Sequence, residues 1–424
     1  MSVWSLHKTQ AGSSGLASLT DCSYDRASLL LPHALPEIFM SFAHHEATSP
    51  LLYAILQLVL QQDQQLERAM AQVFGAARPA VGLQSQVVWH CGAFLRKLNA
   101  YQQLAGADAS LADTVALYFA VQQGAGDITA RWQQLPPAMQ DGCPDWLDQL
   151  GHTELGTAWP AERAALAQAA PRFIRVNSLK TNRDALQRAL AQGGIQSKAV
   201  DGVDSALEIT SDGALFQTEP FKLGWFEQQD AGSQLIAAAL PVKPGSRVID
   251  ACAGAGGKTL ALAARMQAKG RLLAMDVEQW KLDNLQQRAN RAGAANVETR
   301  LISSSKTIKR LAGKADFVLL DVPCSGSGVL RRNPDAKWRS PMRLTELRLL
   351  QQDILQRYSK MLCVGGELVY ATCSIFPSEN RAQIDEFLSS RPDFQLLSEQ
   401  NISPAATGFD GFYAAHLRRI SELS

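Results

Sequence analysis

From Phe226 onward, apolar runs of strand type alternate with segments of helical periodicity, and this alternation constrains the fold more than any other feature. The strand-type runs are Arg247–Ala251, Arg271–Asp276, Val297–Ile302, Phe317–Asp321 and Glu367–Thr372. The helical patterns are Ser233–Leu240, Lys258–Ala268, Leu282–Ala292, Thr345–Leu362 and Glu379–Ser389. Such alternation builds βαβ units, whose strands pair in parallel between two layers of helices. We therefore predict an α/β domain with a mostly parallel sheet over residues 226–424.

The first 225 residues carry other patterns, and 424 residues are too many for one ordinary core. Residues 1–30 are poor in periodic apolar positions, which predicts little structure there, whereas helical stripes run from Leu35 to Ala105 and over Leu111–Val121. We therefore predict an all-helical domain over residues 1–140.

A small α+β subdomain is predicted over residues 141–225. The punctuating run Pro136–Pro144 marks its beginning. A strand at Phe173–Val176 is followed by a helix at Arg183–Gln192. Further short strands are expected within 200–210 and 215–226.

Composition narrows the class of protein. The chain is 46% hydrophobic with a net charge of +1, and it has neither an apolar stretch long enough to span a membrane nor a secretory leader pattern. Its seven cysteines are scattered without a C-x-x-C pair, which argues against a zinc site and favours reduced thiols. We expect a cytoplasmic monomer without a metal.

A glycine-rich loop between a strand and a helix is the candidate cofactor site. The run V-I-D-A-C-A-G-A-G-G-K-T spans Val248–Thr259 and matches neither the dinucleotide fingerprint nor the P-loop. The next strand ends at Asp276, where an acid can bind a ribose hydroxyl. A plain tight turn and a solvated turn aspartate are the alternatives. Together the two features favour a nucleoside cofactor, and S-adenosylmethionine fits the loop better than NAD.

Two cysteines follow neighbouring strand-type runs, at the sheet edge where ligands bind. Cys324 lies in D-V-P-C-S-G and Cys373 in A-T-C-S, whereas Cys91 and Cys363 are predicted to be packing residues. A thiolate that adds to carbon 6 of cytosine turns carbon 5 into a nucleophile for a methyl group, and a second thiol can aid release. Asp321 is placed to stabilise charge on the base. Taken singly, either thiol could be a core cysteine, and the residues alone do not say which one attacks.

At these motifs the chain resembles the Nop/Sun family of RNA 5-methylcytosine methyltransferases, closest to its bacterial RsmB-like members. The resemblance covers roughly Pro144–Arg419 and rests on P-D-W-L, R-V-N-S-L-K, Q-D-A-G-S-Q, D-A-C-A-G-A-G-G-K, D-V-P-C-S-G, G-V-L-R-R-N-P-D-A-K-W-R, A-T-C-S and D-G-F-Y-A-A. It implies a Rossmann-like class I methyltransferase domain, with the helical domain as a possible RNA-binding extension and the α+β subdomain as an RNA-binding unit.

The resemblance also implies the role of each site residue. Cys373 would be the nucleophile, Cys324 the thiol that aids release, and Asp321 a neighbour of the methyl group and the base. The residues implied to contact S-adenosylmethionine are Cys252, Ala253, Gly254, Ala255, Gly256, Gly257, Lys258, Asp276 and Asp321. Where the family has an aspartate near the adenine, this chain has serines, so Ser303, Ser304 or backbone would make that contact.

RNA is the expected partner, ribosomal RNA ahead of transfer RNA. Arg331, Arg332, Lys337 and Arg339 surround Trp338 just after Cys324, a pattern that suits phosphate binding and base stacking. The alternative is a solvated charged face. For the whole chain, the alternative functions are a non-catalytic RNA-binding or ribosome-assembly factor that keeps the fold, and a methyltransferase for protein or small molecules.

Overall fold

The computed structural model describes residues 48–124 and 126–422, in which helices come first, then a small sheet, then a large one. The predictions for residues 1–30 and for the stretch from Leu35 to residue 47 lie outside the described residues. In chain order the helices are α1 (Thr48–Gln61), α2 (Leu66–Ala77), α3 (Val81–Arg96), α4 (Leu98–Ala105), α5 (Leu111–Gln122), α6 (Gly126–Gln133), α7 (Pro137–Gln140), α8 (Asp145–Leu155), α9 (Trp159–Leu166), α10 (Arg183–Gln192), α11 (Glu219–Lys222), α12 (Ala231–Ala238), α13 (Gly257–Arg265), α14 (Gln279–Ala292), α15 (Ser305–Lys309), α16 (Met342–Tyr358), α17 (Arg381–Ser390) and α18 (Pro404–Thr407). The strands are β1 (Arg172–Val176), β2 (Ser197–Ala199), β3 (Ala206–Ile209), β4 (Phe226–Gln228), β5 (Arg247–Asp250), β6 (Arg271–Asp276), β7 (Val297–Leu301), β8 (Ala315–Asp321), β9 (Leu362–Thr372), β10 (Phe394–Ile402) and β11 (Phe412–Arg419).

The N-terminal helices pack through apolar stripes, as their periodicity predicts. On α1, Leu52, Ile55 and Leu56 are fully buried. Helix α5 begins with a capping box, in which the Ser110 hydroxyl accepts from the Asp113 backbone and the Asp113 carboxylate accepts from Ser110. The predicted helical N-terminal region is confirmed over its described part.

A four-stranded antiparallel sheet follows, in the order β2-β3-β1-β4. The strand expected within 200–210 is present as β3, and the one at Phe173–Val176 as β1. The strand expected over 215–226 is wrong for most of that range. Leu215–Gln217 forms a 3₁₀ turn and α11 follows with Pro220 in its first turn, where a proline suits a helix.

The seven-stranded sheet has the order β10-β11-β9-β8-β5-β6-β7. Strands β5 to β9 pair in parallel, whereas β11 pairs antiparallel with β9 and β10. Neighbouring residues of β5 point to opposite faces, so Ile249 joins the core under α16 and α17 while Val248 joins the core under α12, α13 and α14. The predicted Rossmann-like methyltransferase fold, with a mostly parallel sheet, is confirmed.

Because β5 to β9 run in parallel, their carboxyl ends lie at one edge of the sheet, where open α/β folds bind ligands. That edge carries the glycine loop after β5, Asp276 at the end of β6, Ser303 after β7, and the two cysteine loops after β8 and β9. No helix of the described residues is long and apolar enough to cross a membrane.

Candidate active site

The glycine loop has a backbone that only glycine adopts without strain at two positions. Gly254 has φ +53° and Gly256 has φ +89°, both in the left-handed region. A Cβ on Gly256 would lie 2.5 Å from Cγ of Leu285, so this glycine also permits close packing on α14. A Cβ on Gly254 would meet nothing within 4 Å, so the loop is open on that side. The N–H groups at the start of α13 follow directly, as they do in sites that hold polar cofactors.

Asp276 fixes the glycine loop from the next strand. One carboxylate oxygen accepts from the backbone N–H of Gly254 at 2.9 Å, and the other accepts from that of Glu278 at 2.9 Å. Each oxygen keeps a second lone pair for a ribose hydroxyl. The side chain thus holds the loop and remains suited to a nucleoside.

The other predicted cofactor residues occupy the same edge in different ways. The backbone N–H of Ala253 donates to Met275, Ala255 is exposed, and Gly257 begins α13. Cys252 packs against the core, and burial together with Asp250 raises the pKa of its thiol well above the usual range. Its side chain is therefore committed to the core, and only its backbone is left to face a ligand. Ser303 is exposed beyond the end of β7.

These residues fit S-adenosylmethionine. An open glycine loop, an acid with spare lone pairs and a helix N-terminus supply what a nucleoside with an amino-acid tail requires. Among the described residues, no group of three or more histidines, cysteines or acids could hold a metal ion.

The two predicted thiols are neighbours. Sγ of Cys324 lies 3.2 Å from Sγ of Cys373, and the backbone N–H of Cys373 donates to Sγ of Cys324 at 3.3 Å. The hydrogen bond that the Cys324 thiol donates to Sγ of Cys373, together with burial, raises the pKa of Cys324 well above its usual range. Cys324 is therefore held as a neutral thiol beside its partner.

Asp321, at the end of β8, pairs with Lys258 from the first turn of α13. The Lys258 Nζ lies 2.7 Å from a carboxylate oxygen of Asp321 and 5.1 Å from the centre of the Phe412 ring. Burial lowers the pKa of Lys258, but the Asp321 carboxylate outweighs it and raises that pKa. The ammonium is thus held charged, so the pair offers a hydrogen-bonding acid and a fixed cation beside the thiols.

Glu379 is a site residue that the sequence analysis missed. It is fully buried and accepts from the backbone N–H and the hydroxyl of Ser325, at 2.8 and 2.5 Å, and from Nε2 of Gln351 at 3.0 Å. The loop after Cys324 is therefore held by an acid from the segment after Cys373. An acid in F-P-S-E-N, six residues beyond a proposed nucleophile, was the available signal.

The basic cluster after Cys324 is mostly turned inward, which corrects the predicted RNA contact. The Arg331 side chain is 4% exposed, and its Nε donates to Asp410 at 2.7 Å. Arg332 donates to the same Asp410 and to Asp230, 2.9 Å away. Arginines that are paired with buried carboxylates are not available to bind phosphate. Because Arg331 is buried, the alternative of a solvated charged face also fails for this residue.

Lys337 and Trp338, from the basic cluster after Cys324, donate hydrogen bonds to backbone carbonyls of the N-terminal helical region and of the residues that follow it. The Lys337 Nζ donates to the carbonyls of Arg96, Asp141 and Gly142, at 3.2 to 3.4 Å, and burial lowers its pKa to about 8. The Trp338 indole donates to the carbonyl of Leu95 at 2.9 Å. Arg339 pairs with Asp335 at 2.6 Å. Lys337 is thus wrongly predicted as an RNA contact, and Trp338 is committed to an internal hydrogen bond.

Two family models match the chain. The model of 16S rRNA methyltransferase RsmB/F covers residues 237–418, and a ferredoxin-like domain of RsmF/B-like methyltransferases covers residues 143–215. Ribosomal RNA small subunit methyltransferase B of Erwinia tasmaniensis is 34% identical over an alignment 421 positions long, which covers 91% of this chain and 94% of that protein. The chain belongs to the RsmB/F family of methyltransferases. Two further RsmB relatives, each 33% identical, match over 66% and 65% of their own length.

Solved structures of methyltransferase proteins share this fold. A methyltransferase homolog protein from Pyrococcus horikoshii is 28% identical, with a TM-score of 0.60 over 67% of this chain and 98% of that chain. NSun6 from Pyrococcus horikoshii, solved with SFG, is 20% identical, with a TM-score of 0.61 over 66% of this chain and 99% of that chain. The second likeness shows the fold alone.

Proposed function

We propose that this RsmB/F family member transfers a methyl group from S-adenosylmethionine to carbon 5 of a cytosine in ribosomal RNA, through a covalent cysteine–cytosine adduct. The observation that carries the proposal is the thiol pair, 3.2 Å apart, at strand ends that adjoin the glycine loop. The names of the RsmB relatives support ribosomal RNA as the substrate. The SFG-bound neighbour supports the cofactor.

The first step is addition to the base. The Cys373 thiolate attacks carbon 6, and the electron pair of the 5,6 double bond moves toward ring nitrogen 3. The Asp321–Lys258 pair, with its 2.7 Å contact, is proposed to hydrogen-bond the exocyclic amine and nitrogen 3 and to stabilise that charge. Carbon 5 becomes nucleophilic as a result. S-adenosylmethionine, when bound, would supply the methyl group that carbon 5 attacks, and the electron pair of the broken bond from methyl to sulfur would stay on sulfur as a neutral thioether.

The second step is release. Once carbon 5 carries the methyl group, its proton leaves to a base and the bond from carbon 6 to sulfur breaks, with the electron pair returning to Cys373. Cys324, held as a neutral thiol by its raised pKa, can donate a hydrogen bond to the departing sulfur. The family resemblance supports this division of roles, since the distance between the two sulfurs does not by itself say which thiol attacks.

The domain division accompanies this proposal. We propose a helical domain over residues 1–140, an α+β RNA-binding subdomain over 141–225 and the catalytic domain over 226–424. The ferredoxin-like match over 143–215 and the methyltransferase match over 237–418 support these limits. The described residues nevertheless pack as one compact unit.

Methyl transfer to purified 16S rRNA from cells that lack the protein tests the function. With radiolabelled S-adenosylmethionine, we expect label in the RNA that is recovered as 5-methylcytidine after digestion to nucleosides. Label in a different nucleoside would refute the chemistry, and absence of label together with absence of cofactor binding by calorimetry would favour the non-catalytic alternative.

A further inference from the structure

A pocket of about 230 Å³ opens beside Cys324. Its floor is the loop Pro323, Cys324 and Ser325, whereas Cys373, Asp321, Lys258 and the glycine loop are not part of its lining. It therefore adjoins the proposed catalytic centre through one thiol while lying outside the cofactor site. Its size is below the roughly 300 Å³ at which pockets for drug-sized ligands begin.

Apolar side chains from separate segments line the pocket, together with polar ones that include Gln65, Ser327 and Ser340. Trp146 and Leu150 of α8 lie on one side, Phe376 follows Cys373, and Leu344 belongs to α16. Trp146 is half-buried, so part of the indole is available to the pocket. The P-D-W-L motif, which the catalytic proposal leaves without a role, thus supplies an aromatic wall next to the P-C-S-G motif. The buried Glu379 carboxylate holds Ser325 and thereby fixes the floor.

The charges at the pocket have one sign. None of the described residues that line it is acidic, and three are basic. Lys337 donates to backbone carbonyls and Arg339 pairs with Asp335. Arg343 is exposed on α16, and the described residues give it no ion-pair partner. The pocket therefore combines apolar and aromatic side chains with hydroxyl and amide groups and the guanidinium of Arg343, a mixture that complements a base joined to a phosphate.

We propose that this pocket receives the nucleobase next to the target cytosine in the RNA, with Trp146 against the base and Arg343 against its phosphate. The inference rests on the proposed function. Single-stranded RNA is recognised by bases placed on aromatic side chains, and arginine is suited to phosphate. Continuity with Cys324 selects a neighbouring nucleotide, because a base in this pocket and a base at the thiol pair share one wall.

A double-mutant cycle tests the inference by combining substitutions in the protein with removal of one base from the RNA. A short RNA substrate is prepared with the base removed at the position before or after the target cytosine, and kcat/KM for the RNA is measured. For the wild-type chain, we expect one of the two abasic substrates to lose about tenfold in kcat/KM, the loss of one stacked base. In Trp146→Ala, the same abasic substitution should cost nothing further, because the base has lost its partner.

Matched variants separate the pocket from other causes. Trp89→Ala removes an exposed tryptophan on α3 that does not line the pocket, and it should keep the full abasic penalty. Leu344→Trp fills the pocket without removing a wall, so it should also become insensitive to the missing base even if Trp146→Ala fails to fold. Arg343→Gln should raise KM for RNA about tenfold while KM for S-adenosylmethionine stays unchanged, whereas Arg357→Gln, farther along α16, should change neither.

Independent losses would overturn the inference. Suppose the loss in kcat/KM caused by Trp146→Ala, and likewise that caused by Leu344→Trp, multiplies with the loss caused by each abasic substitution. The pocket then holds no flanking base. If both abasic RNAs react as well as intact RNA in the wild-type chain, the inference fails as well. Absence of methyl transfer to the intact RNA by the wild-type chain would instead refute the proposed function, so the two failures are distinguishable.

Discussion

Sγ of Cys324 and Sγ of Cys373 lie 3.2 Å apart because their loops leave adjacent strands that are paired in parallel. The register places Asp321 of β8 opposite Ala371 of β9, so both loops begin at the same level of the sheet. The loops are further joined, since the backbone N–H of Gly328 donates to the carbonyl of Cys373 at 2.9 Å. The sheet itself therefore enforces the thiol contact on which the proposed chemistry depends.

Replacement of the proposed nucleophile, Cys373→Ala, is expected to lower the rate of methyl transfer by a factor of about a thousand or more, because the covalent step is lost. Cofactor binding should persist, because the glycine loop and Asp276 belong to other strands. Methyl incorporation into RNA and calorimetric titration with S-adenosylmethionine measure the two properties. Near-normal turnover in this variant would rule out Cys373 as the nucleophile.

Replacement of the second thiol, Cys324→Ala, is expected to have a different result. Addition and methyl transfer need only Cys373, so the adduct should form and then persist. A protein–RNA species that survives denaturing electrophoresis is the expected observation, with Cys373→Ala/Cys324→Ala as the control that forms none. If Cys324→Ala releases its product as fast as the wild-type chain, the proposed release role is wrong.

Gly256→Ala should lower the free energy of unfolding by about 2 kcal/mol, since it combines strain at a left-handed φ with a steric contact. The contact is with Leu285 at 2.5 Å, and φ is +89°. Gly254→Ala is the matched control: its φ is +53°, but its Cβ would meet nothing within 4 Å. Urea denaturation should show the larger loss for Gly256→Ala, and equal losses would contradict the packing argument.

Asp250 predicts a dependence of stability on pH. Burial, together with the nearby Asp321 charge, raises the pKa of this carboxyl from 3.8 to about 7, although Thr259 donates to one oxygen at 2.7 Å. Between these two pKa values the folded state keeps a proton that the unfolded state has lost. The contribution of this group to the free energy of unfolding is therefore complete below about pH 4, and it is lost as the pH rises through about 7. The other carboxyl oxygen has no hydrogen-bond partner among the described residues.

Asp250→Asn removes this titration. Between pH 5 and pH 8, the wild-type free energy of unfolding should fall relative to that of Asp250→Asn by on the order of 2 kcal/mol. Urea denaturation of both chains at the two pH values measures the difference. Parallel pH profiles would show that Asp250 keeps an ordinary pKa.

Glu379→Gln should destabilise the chain by about 2 kcal/mol, because it replaces a charged acceptor of three hydrogen bonds by an amide that directs N–H groups at donors. The exposed Glu386 on α17 offers the matched control, and Glu386→Gln should change the free energy of unfolding by less than about 0.5 kcal/mol. Chemical denaturation compares the two variants. Equal stability would mean that Ser325 and Gln351 find other acceptors.

The parallel part of the fold and the strand-end residues could be predicted because both depend on local pattern. Strands β5, β6 and β8 and the second half of β9 are mostly apolar runs, and a parallel sheet places the strand ends together whatever the loops contain. Strands β10 and β11 were not predicted. Strand β10 is an exposed edge whose middle residues are mostly polar, and only its pairing with β11 makes it a strand.

The basic cluster could not be interpreted from sequence, since its partners are distant along the chain. Arg331 and Arg332 meet an acid 79 and 78 residues away, at Asp410. Lys337 meets carbonyls more than 190 residues away. A run of arginine and lysine next to a tryptophan has the composition of an RNA contact in either case, and only the fold decides whether the charges face solvent.

The burial of Arg331 and Lys337 affects how RNA affinity should depend on ionic strength. A cation displaces counter-ions from a phosphate backbone only when its charge is free to approach that backbone. Arg331 and Lys337 are 4% and 3% exposed, and the chain as a whole carries a net charge of only +1. Arg331 and Lys337 should therefore add nothing to the salt dependence of RNA affinity, which is left to exposed cations such as Arg343.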